Sequence, residues 1–300
     1  MKAWLVVNAF LRREKFDEIY RWLYEAGKKR GVSFKVYTNQ ELLCLFSQGG
    51  LEVFPDTESV DFVLFWDKDI MLAKMLEEAG FKVYNSSHAI EVCDNKTLTH
   101  FYLAKENIPM PDTIAAPMTY ANIGYTSTEF VKIVIEKLGL PLVIKESFGS
   151  FGQQVYLAST EKEVMEYVIK LAGKPFLFQK YIKASSGRDV RLQVVGKKVV
   201  AAMERRARQG DFRANVTIGG TMREYVPKQE EASLALLSCQ ILQVDFAGVD
   251  LLYDDSGKPM VCEVNSNAHF KNIADCTGVN AADYIVEYLL HHERTEKRRA

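Results

Sequence analysis

Apolar runs alternate with amphipathic segments over the first ninety residues of the chain. Ala3 to Val7 and Phe62 to Trp66 are continuous apolar runs, which are typical of buried strands. Lys15 to Arg30 has apolar residues at helical spacing, and the Gly31 that follows is a common helix terminator. Because strand and helix keep alternating, we predict a parallel α/β sheet with helices on its faces over residues 1–92.

The pattern changes at residue 93. A predicted helix over Asn95 to Glu106 is followed by a Pro-Met-Pro sequence, which forces an extended connection. Short apolar strands and two helices then alternate as far as residue 184. Each of these helices is expected to open with a Thr-x-x-Glu capping box, one starting at Thr126 and the other at Thr160. We therefore predict a compact α+β unit over residues 93–184.

The third part, residues 185–292, is predicted to contain two β-hairpins and two helices. The second hairpin joins Ala247 to Tyr253 with Met260 to Asn265 through a polar turn. The final helix is expected over Ala281 to His292, and the charged residues 293–300 are expected to form a frayed tail. The predicted fold class is therefore a combination of α/β and α+β architecture.

Composition narrows the classes of function. The chain has 48% hydrophobic and 26% charged residues, the balance of a folded protein, and its formal net charge is −1. Without a strong overall field, neither nucleic acid nor an anionic membrane is expected as a partner. The five cysteines lack the spacing of a metal or redox motif, and no apolar run is long enough to span a bilayer. We expect a cytoplasmic protein with reduced thiols.

The second hairpin carries acidic residues at positions where strands are usually apolar. With a turn at Asp255 to Lys258, Asp250 lies opposite Glu263, and the period of two places Asn265 on the same face as Glu263. Like charges among apolar neighbours need compensation. Mg²⁺ suits two carboxylates and an amide oxygen, but a raised carboxylate pKa or an arginine partner would serve equally well.

Two lysines and a loop of small residues suggest phosphate handling. Lys145 ends an apolar strand directly before the loop Ser147 to Gly152, where backbone N–H groups can approach oxygen atoms closely. The P-loop sequence is absent. Lys96 stands in the first turn of its helix, where a lysine opposes the helix dipole. A plain surface loop and a solvated lysine are the alternatives.

Residues 204–215 form a basic segment. Four arginines lie within nine positions between Arg205 and Arg213, and Phe212 is the aromatic residue near them. Nucleic-acid patches usually interleave aromatic residues within a basic domain, so an anion clamp for a phosphate or carboxylate is the better interpretation. A solvated run of charge is the alternative.

Taken in order, these motifs resemble those of the ATP-grasp superfamily, and within it the RimK-type α-L-glutamate ligases. The resemblance extends from about Asp94 to Leu289, whereas the first ninety residues match only in their α/β pattern. The motifs are Asp94-x-Lys96, PLVIK ending at Lys145, FQKYI (Phe178 to Ile182), Asp189-Val-Arg191, the basic segment with Gly219 and Gly220, AGVDLL (Ala247 to Leu252) and CEVN (Cys262 to Asn265).

The resemblance implies an ATP-grasp fold and an ADP-forming carboxylate–amine ligase. In the chemistry of that family an acceptor carboxylate attacks the γ-phosphate of ATP to give an acyl phosphate, and an amine then displaces phosphate to form an amide. The amine is expected to be L-glutamate, and the acceptor a small molecule or a peptide C-terminus. The implied cofactors are ATP and two Mg²⁺ ions, with Mn²⁺ as an alternative metal. A homo-oligomer is also expected, because the family often forms dimers or tetramers.

The same resemblance assigns roles to particular residues. The implied nucleotide-binding residues are Lys96 and Lys145 on the phosphates, Lys180 and Tyr181 at the adenine edge, Asp189 at the sugar, and Arg213 and Asn215 beside the phosphates. The implied metal ligands are Asp250, Glu263 and Asn265. Arg205 and Arg213 would stabilise the charge that develops during catalysis.

Three features of the sequence depart from the RimK pattern. Lys180 stands where the family commonly has an acid, and the central loop continues with two glutamines instead of glycines. After CEVN, residues 266–272 replace the usual Ser-Pro-Gly and look more like the LysX-type ligases of lysine biosynthesis. His269 and Lys271 in this segment are therefore candidates for selecting the amine or the acceptor. The alternative for His269 is that it caps the helix that follows.

Other functions stay open at this stage. One is a LysX-like ligase that joins an acceptor carboxylate to a different amino acid. Another is an ATP-binding module without turnover that acts in regulation, although the intact Asp250, Glu263 and Asn265 argue against it. A nucleic-acid binder that uses the basic segment is the third.

Overall fold

The computed structural model describes residues 1–11, 13–55, 58–149, 152–208, 210–214 and 219–298. Within them the chain forms two four-stranded sheets, one five-stranded sheet and a separate two-stranded hairpin. The four-stranded sheets belong to the first and second thirds of the chain, and the five-stranded sheet belongs to the last third.

The N-terminal part builds the parallel sheet that the sequence predicts. Its elements are β1 (Lys2–Val7), α1 (Glu14–Lys29), β2 (Ser33–Thr38), β3 (Leu43–Ser47), β4 (Gly50–Phe54), β5 (Phe62–Trp66), α2 (Ile70–Glu78) and β6 (Val83–Tyr84). The sheet order is β2-β1-β5-β6, with all neighbours parallel. Strand β5 is buried along its whole length, as expected for a strand that is covered on both faces. The sequence pattern did not predict the β3–β4 hairpin.

The central part is an antiparallel sheet with helices. Its elements are α3 (Ser87–Asp94), α4 (Lys96–Lys105), β7 (Thr113–Ala115), α5 (Phe130–Leu138), β8 (Leu142–Glu146), β9 (Val155–Ala158), α6 (Glu161–Lys170) and β10 (Phe176–Lys180), and the sheet order is β7-β10-β8-β9. Helix α6 begins with the predicted capping box at Thr160. The box predicted at Thr126 is wrong. Helix α5 begins only at Phe130, and Glu129 N donates to Ser127 Oγ at 3.4 Å instead of to the Thr126 side chain.

The C-terminal part is an antiparallel sheet of five strands. Its elements are β11 (Arg188–Val195), β12 (Lys198–Arg206), β13 (Thr221–Glu224), α7 (Gln229–Ile241), β14 (Phe246–Tyr253), β15 (Pro259–Asn265), α8 (Lys271–Thr277) and α9 (Ala281–Lys297). The sheet order is β13-β12-β11-β14-β15. Both predicted hairpins are therefore present, and they are joined through the pairing of β11 with β14.

The first and last parts of the chain share one hydrophobic core. Leu5 and Phe62 of the parallel sheet lie in the same buried cluster as Phe246 and Ile285. The fully buried Asn85 also joins the two parts. Its amide donates to the backbone oxygens of Phe246 and Ser266 and accepts from the backbone N–H groups of Asp245 and Phe246. The central sheet has a cluster of its own. The boundaries predicted at residues 92 and 184 stay predictions, and α3 runs across the first of them.

Helix α9 corrects the predicted frayed tail. It continues to Lys297, five residues beyond its expected end at His292. The side chain of Glu293 is completely buried, where it accepts hydrogen bonds from the Tyr84 hydroxyl at 2.7 Å and from Lys82 at 3.3 Å. These contacts hold the charged sequence in a helix. In the described part of the chain, neither α9 nor any other helix combines the length and apolar character needed to cross a membrane.

Candidate active site

The second hairpin consists of β14 and β15, and we call it the acidic hairpin because it carries Asp250 and Glu263. It forms with the predicted pairing but with a different turn. Asp250 lies opposite Glu263, as expected. Tyr253 pairs with Pro259, however, so the turn includes Asp254 and is one residue longer than predicted. A bulge leaves Cys262 without a partner across the strands and restores the register. The two differences cancel, and the two carboxylates face each other.

Arginines already compensate the Asp250 carboxylate. Arg191 donates from Nε and Nη2 to its two oxygens at 2.6 Å each, and Arg205 Nη2 lies 2.9 Å from Oδ2. Burial alone would raise the pKa of Asp250, but the two guanidinium groups outweigh it and lower the pKa to about 2. Asp189 in turn holds Arg205 through two hydrogen bonds of 2.6 and 2.7 Å. An arginine partner for the carboxylate, which the sequence left open as an alternative to a metal ion, is therefore present in the structure.

A divalent cation still fits this site by its donor set. In the described residues no three His, Cys, Asp or Glu side chains cluster as a metal site, so an ion here would take two carboxylates and an amide oxygen. Asn265 Nδ2 is buried without a hydrogen-bond partner among the described residues, so no hydrogen bond of this nitrogen to them fixes the side chain, and Oδ1 is the atom that would bind the ion. Glu263 lies 3.6 Å from Lys96 Nζ. Burial opposes ionisation of Glu263, but the positive charge of Lys96 contributes to a net lowering of its pKa.

The two predicted phosphate lysines reach the same cavity from different elements. Lys96 begins α4, which Asn95 caps through hydrogen bonds from two backbone N–H groups. Its Nζ donates to Gly149 O at 3.0 Å. Lys145 extends from β8, and its Nζ lies 3.5 Å from Cys262 Sγ on the acidic hairpin. Both lysines are almost fully buried, so their charges are held at fixed positions.

His100 supports these lysines and is a residue that the sequence did not single out. Its Nδ1 lies 2.8 Å from Lys96 O, and its Nε2 lies 2.7 Å from Gln179 Nε2. A carbonyl oxygen only accepts, so Nδ1 carries the hydrogen and Nε2 accepts from Gln179. Burial and the nearby Lys145 charge lower the pKa of His100 to about 4. The ring is therefore neutral at pH 7 and links α4 to the central sheet.

The remaining predicted nucleotide residues divide into two groups. Tyr181 and Arg213 line the cavity, and Arg213 donates from Nη1 to Gly152 O at 2.9 Å. Lys180 does not line it, because its exposed side chain pairs with Asp112 and its backbone N–H donates to Asp112 O. Asn215 lies outside the described residues, as do Ser150 and Phe151 of the central loop.

One cavity of about 700 Å³ is lined by both phosphate lysines, by Tyr181 and Arg213, and by the carboxylates of the acidic hairpin. Its described lining contains nine lysines and arginines against four aspartates and glutamates, although the whole chain has a net charge of −1. The basic residues are Lys15, Lys68, Lys96, Lys145, Lys271, Arg188, Arg191, Arg205 and Arg213, and the acidic ones are Asp67, Asp189, Asp250 and Glu263. Such a volume and charge suit large polyanionic ligands.

Comparison with known proteins decides the family. A model of the RimK-like ATP-grasp domain matches residues 93–289. The chain belongs to the RimK-like ATP-grasp family. The predicted ATP-grasp fold and ATP-dependent carboxylate–amine ligase are thereby confirmed.

The chain is similar over most of its length to two named synthases and to one solved structure. β-Citrylglutamate synthase B of Danio rerio is 29% identical over 303 residues, which cover 96% of this chain and 73% of that protein. N-acetylaspartylglutamate synthase A of Mus musculus is 31% identical over 320 residues, which cover 99% and 81%. The RimK domain ATP-grasp protein of Sphaerobacter thermophilus DSM 20745 has the same fold, with a TM-score of 0.72 at 22% identity over 97% of this chain and 100% of that one.

The match to the RimK-like domain begins at residue 93, but the cavity extends beyond it. We call the side chains that residues 1–92 contribute the N-terminal wall, and those from residue 93 onward the motif wall. The N-terminal wall consists of Asn8, Leu11, Lys15, Phe16, Tyr20, Trp66, Asp67 and Lys68. Sequence reasoning missed these residues. The available signal was that Asn8 and Asp67 directly follow β1 and β5, since neighbouring parallel strands present ligand sites at their carboxyl ends.

His269 and Lys271 meet the N-terminal wall. His269 Nε2 lies 2.9 Å from Lys15 O, and its ring contacts Phe16 edge to face. Burial lowers the pKa of His269. Lys271 forms ion pairs with Glu18 at 3.4 Å and with Asp275 at 2.9 Å. His269 does not cap α8, whose N-cap is Phe270 without a side-chain hydrogen bond.

Proposed function

We propose that the protein joins the amino group of L-glutamate to a carboxylate of an acidic acceptor, driven by ATP. The observation that carries this proposal is the excess of five positive charges in the cavity that contains the acidic hairpin. ATP, glutamate and an acidic acceptor are all anions, so together they would balance such a lining. The names of the two synthases both describe products that end in glutamate, which supports the choice of amine.

The motif wall would position the phosphates. Lys96 and Lys145 are cations held at fixed positions, and both would neutralise phosphate oxygens. Gly149 O and Gly152 O now accept from Lys96 and Arg213. Bound phosphates would replace these carbonyl contacts. The predicted role of Asp189 at the nucleotide sugar competes with its two hydrogen bonds to Arg205, so we assign Asp189 to holding that arginine.

Asp250, Glu263 and Asn265 would hold the divalent metal, and we propose two Mg²⁺ ions, with Mn²⁺ as an alternative. Metal ions at such a site neutralise phosphate charge and orient the γ-phosphate for transfer. Arg191 and Arg205 lie on Asp250, so they are within reach of a carboxylate or phosphate at the same place. Both would stabilise the negative charge that develops there.

Two displacements complete the reaction. An oxygen of the acceptor carboxylate forms a bond to the γ-phosphorus while the bond to the ADP oxygen breaks. The glutamate ammonium group loses one proton to solvent, and its nitrogen then bonds to the acyl carbon and releases a second proton to solvent, while phosphate leaves with the electrons of the broken C–O bond. No protein side chain needs to form a covalent intermediate. The cavity has to hold both substrates and exclude water from the acyl phosphate.

A release assay tests this proposal. Purified protein with Mg²⁺-ATP would be screened for ADP release over single amino acids combined with citrate, N-acetylaspartate and acidic peptides. We expect ADP release only when an acid and L-glutamate are both present, with an amide of the expected mass. Release with a different amino acid would favour the LysX-like alternative. Absence of ADP release with every pair would contradict a ligase of this substrate class.

A further inference from the structure

Asp67 differs from the other carboxylates of the cavity. Asp189, Asp250 and Glu263 each lie within 4 Å of a lysine or arginine nitrogen. Asp67 forms no ion pair within the described part of the chain, although its side chain is 94% buried, with 6% exposed. It accepts instead from the Asn8 amide at 3.0 and 3.1 Å and from the Lys68 backbone N–H at 2.7 Å.

A buried carboxylate without a cation is unfavourable in an empty site. Burial removes hydration from the charge, and neutral hydrogen bonds replace only part of it. The same burial raises the pKa of Asp67. The Lys68 ammonium pairs with Asp94, and its charge lowers the pKa of Asp67 by less than burial raises it. A ligand with a positively charged group would supply a cationic partner for the Asp67 carboxylate.

Asp67 also lies close to the acidic hairpin. Asn267, two residues after Asn265, donates from Nδ2 to the backbone oxygen of Asp67. The other atom of the same amide, Asn267 Oδ1, is a buried acceptor without a partner among the described residues. The Asp67 carboxylate and Asn267 Oδ1 are therefore two hydrogen-bond acceptors on residues that line the same cavity, and neither accepts from a lysine or arginine side chain in the described structure.

We propose that Asp67 binds the ammonium group of the amine substrate, with Asn267 Oδ1 as a second acceptor. The assignment rests on the proposed ligase function, and it places amine recognition on the N-terminal wall. Asn8 positions the carboxylate through its two hydrogen bonds. Lys15, Arg191 and Lys271 line the same cavity and would attract the carboxylates of an acidic amino acid. One negative position among several positive ones complements a molecule with one ammonium and two carboxylates.

The test separates amine binding from carboxylate activation. Hydroxylamine is uncharged at neutral pH and traps an acyl phosphate as a hydroxamate, so it needs no ammonium site. In Asp67→Asn we expect the KM for L-glutamate to rise by at least roughly 30-fold, because a buried charge pair is lost. The KM values for ATP and acceptor, and the rate of hydroxamate formation from ATP and acceptor, should stay within about twofold of the wild type.

Asp69→Asn is the matched control. Asp69 caps α2 through Leu72 N outside the cavity, and asparagine caps helices equally well, so this variant should keep all three KM values. Asp67→Asn should also keep or raise the melting temperature without ligands, since it removes a buried, unpaired charge. A lower melting temperature together with an unchanged KM for glutamate would identify Asp67 as a structural residue.

Other outcomes would also overturn the assignment. An unchanged KM for glutamate in a stable Asp67→Asn variant would remove the ammonium contact. A parallel fall in hydroxamate formation would place Asp67 in carboxylate activation instead of amine binding. Failure of the underlying ligase function has a different signature, because the wild-type protein would then form no hydroxamate with any acid, and both proposals would fall.

Discussion

The two walls of the cavity differ in how their charges are satisfied. On the motif wall, Asp189 and Asp250 share Arg205, Arg191 also pairs with Asp250, and Glu263 lies near Lys96. On the N-terminal wall, Asp67 is buried without a cationic partner in the described structure. A wall whose charges are paired is preorganised for phosphates and metal, which every substrate combination would need. A wall with an uncompensated group is suited to selecting one substrate.

The family match follows the same division. The matched residues 93–289 include the whole acidic hairpin and both phosphate lysines, whereas the N-terminal wall lies outside them. We infer that the shared chemistry belongs to the motif wall and that substrate choice belongs largely to the N-terminal wall. A substitution in one wall should therefore change the function of that wall and leave the function of the other nearly unchanged.

The largest effect is expected from Glu263→Gln on the motif wall. The neutral amide is nearly isosteric but a poor metal ligand, and it also loses the attraction to Lys96. We expect kcat for ADP formation to fall by roughly 10²–10³-fold. Because Lys96 balances the charge of Glu263 in the folded protein, the free energy of unfolding should fall by no more than about 1 kcal/mol.

Glu146→Gln provides the control for this variant. Glu146 ends β8, next to Lys145, and contacts Tyr156 and Lys174 outside the cavity. It should keep kcat near the wild-type value. ADP production by Glu263→Gln at a near-normal rate would remove the acidic hairpin from the metal site and would break the proposed division between the walls.

His100 makes the motif wall sensitive to acid. Its pKa of about 4 in the folded protein lies below the ordinary value of 6.5, so the unfolded chain binds the proton first. The contribution of the neutral His100 to the free energy of unfolding is therefore fully present above pH 6.5 and is lost as the pH falls from 6.5 towards 4. The loss reaches about 3 kcal/mol below pH 4. In His100→Gln, urea unfolding at a series of pH values should show a shallower decline over this window.

The acid response has its own control. His88 lies on α3 outside the cavity, so His88→Gln should retain the decline of the wild type. If the free energy of unfolding fell with pH as steeply in His100→Gln as in the wild type, other groups would account for the decline. The neutral His100 would then not be the support of Lys96.

A smaller effect is expected from His269→Ala, where the two walls meet. The substitution removes the hydrogen bond to Lys15 O and the contact with Phe16. We expect the KM for glutamate or for the acceptor to rise by roughly 5–10-fold, the value of one hydrogen bond, while the KM for ATP is nearly unchanged. A parallel rise in the KM for ATP would assign His269 to the motif wall, and no change in any KM would exclude it from substrate selection.

The smallest effect is expected in the rate of amide hydrogen exchange at residues 147–154. Carbonyl oxygens of Gly149 and Gly152 now accept from Lys96 and Arg213, and bound phosphates would replace those contacts. Amide hydrogen exchange across this segment should slow severalfold when Mg²⁺-ATP binds, as for a loop that closes over the nucleotide. Residues of the N-terminal wall should keep their rates until glutamate is added. Unchanged exchange at 147–154 with saturating Mg²⁺-ATP would identify an ordinary surface loop.

The sequence predicts the motif wall well because its signals are local. Strand alternation places Asp250 opposite Glu263 even though the turn is one residue longer than expected, since the bulge at Cys262 compensates. The N-terminal wall has no such signal. Asn8 and Asp67 lie 59 residues apart and meet only because β1 and β5 are neighbours in the sheet. The extension of α9 likewise depends on a distant contact, that of Glu293 with Tyr84.

The arginine partners of Asp250 show a further limit of sequence reasoning. Arg191 and Asp250 lie on different hairpins, and only the pairing of β11 with β14 brings them opposite each other. The motif Asp189-Val-Arg191 marks these residues, but the spacing alone does not show that Asp189 holds Arg205 while Arg191 holds Asp250. Paired charges of this kind depend on strand order, which the local pattern does not specify.

Transfer of ¹⁸O from the acceptor to phosphate shows whether ATP activates the acceptor carboxylate. The acceptor would be labelled with ¹⁸O in its carboxylate and incubated with Mg²⁺-ATP and L-glutamate, and the released phosphate would be analysed by mass spectrometry. An acyl phosphate formed by the acceptor predicts one ¹⁸O atom in each phosphate molecule. Phosphate that contains no ¹⁸O, at a rate of amide formation equal to that of ADP release, would contradict activation of the acceptor carboxylate by ATP.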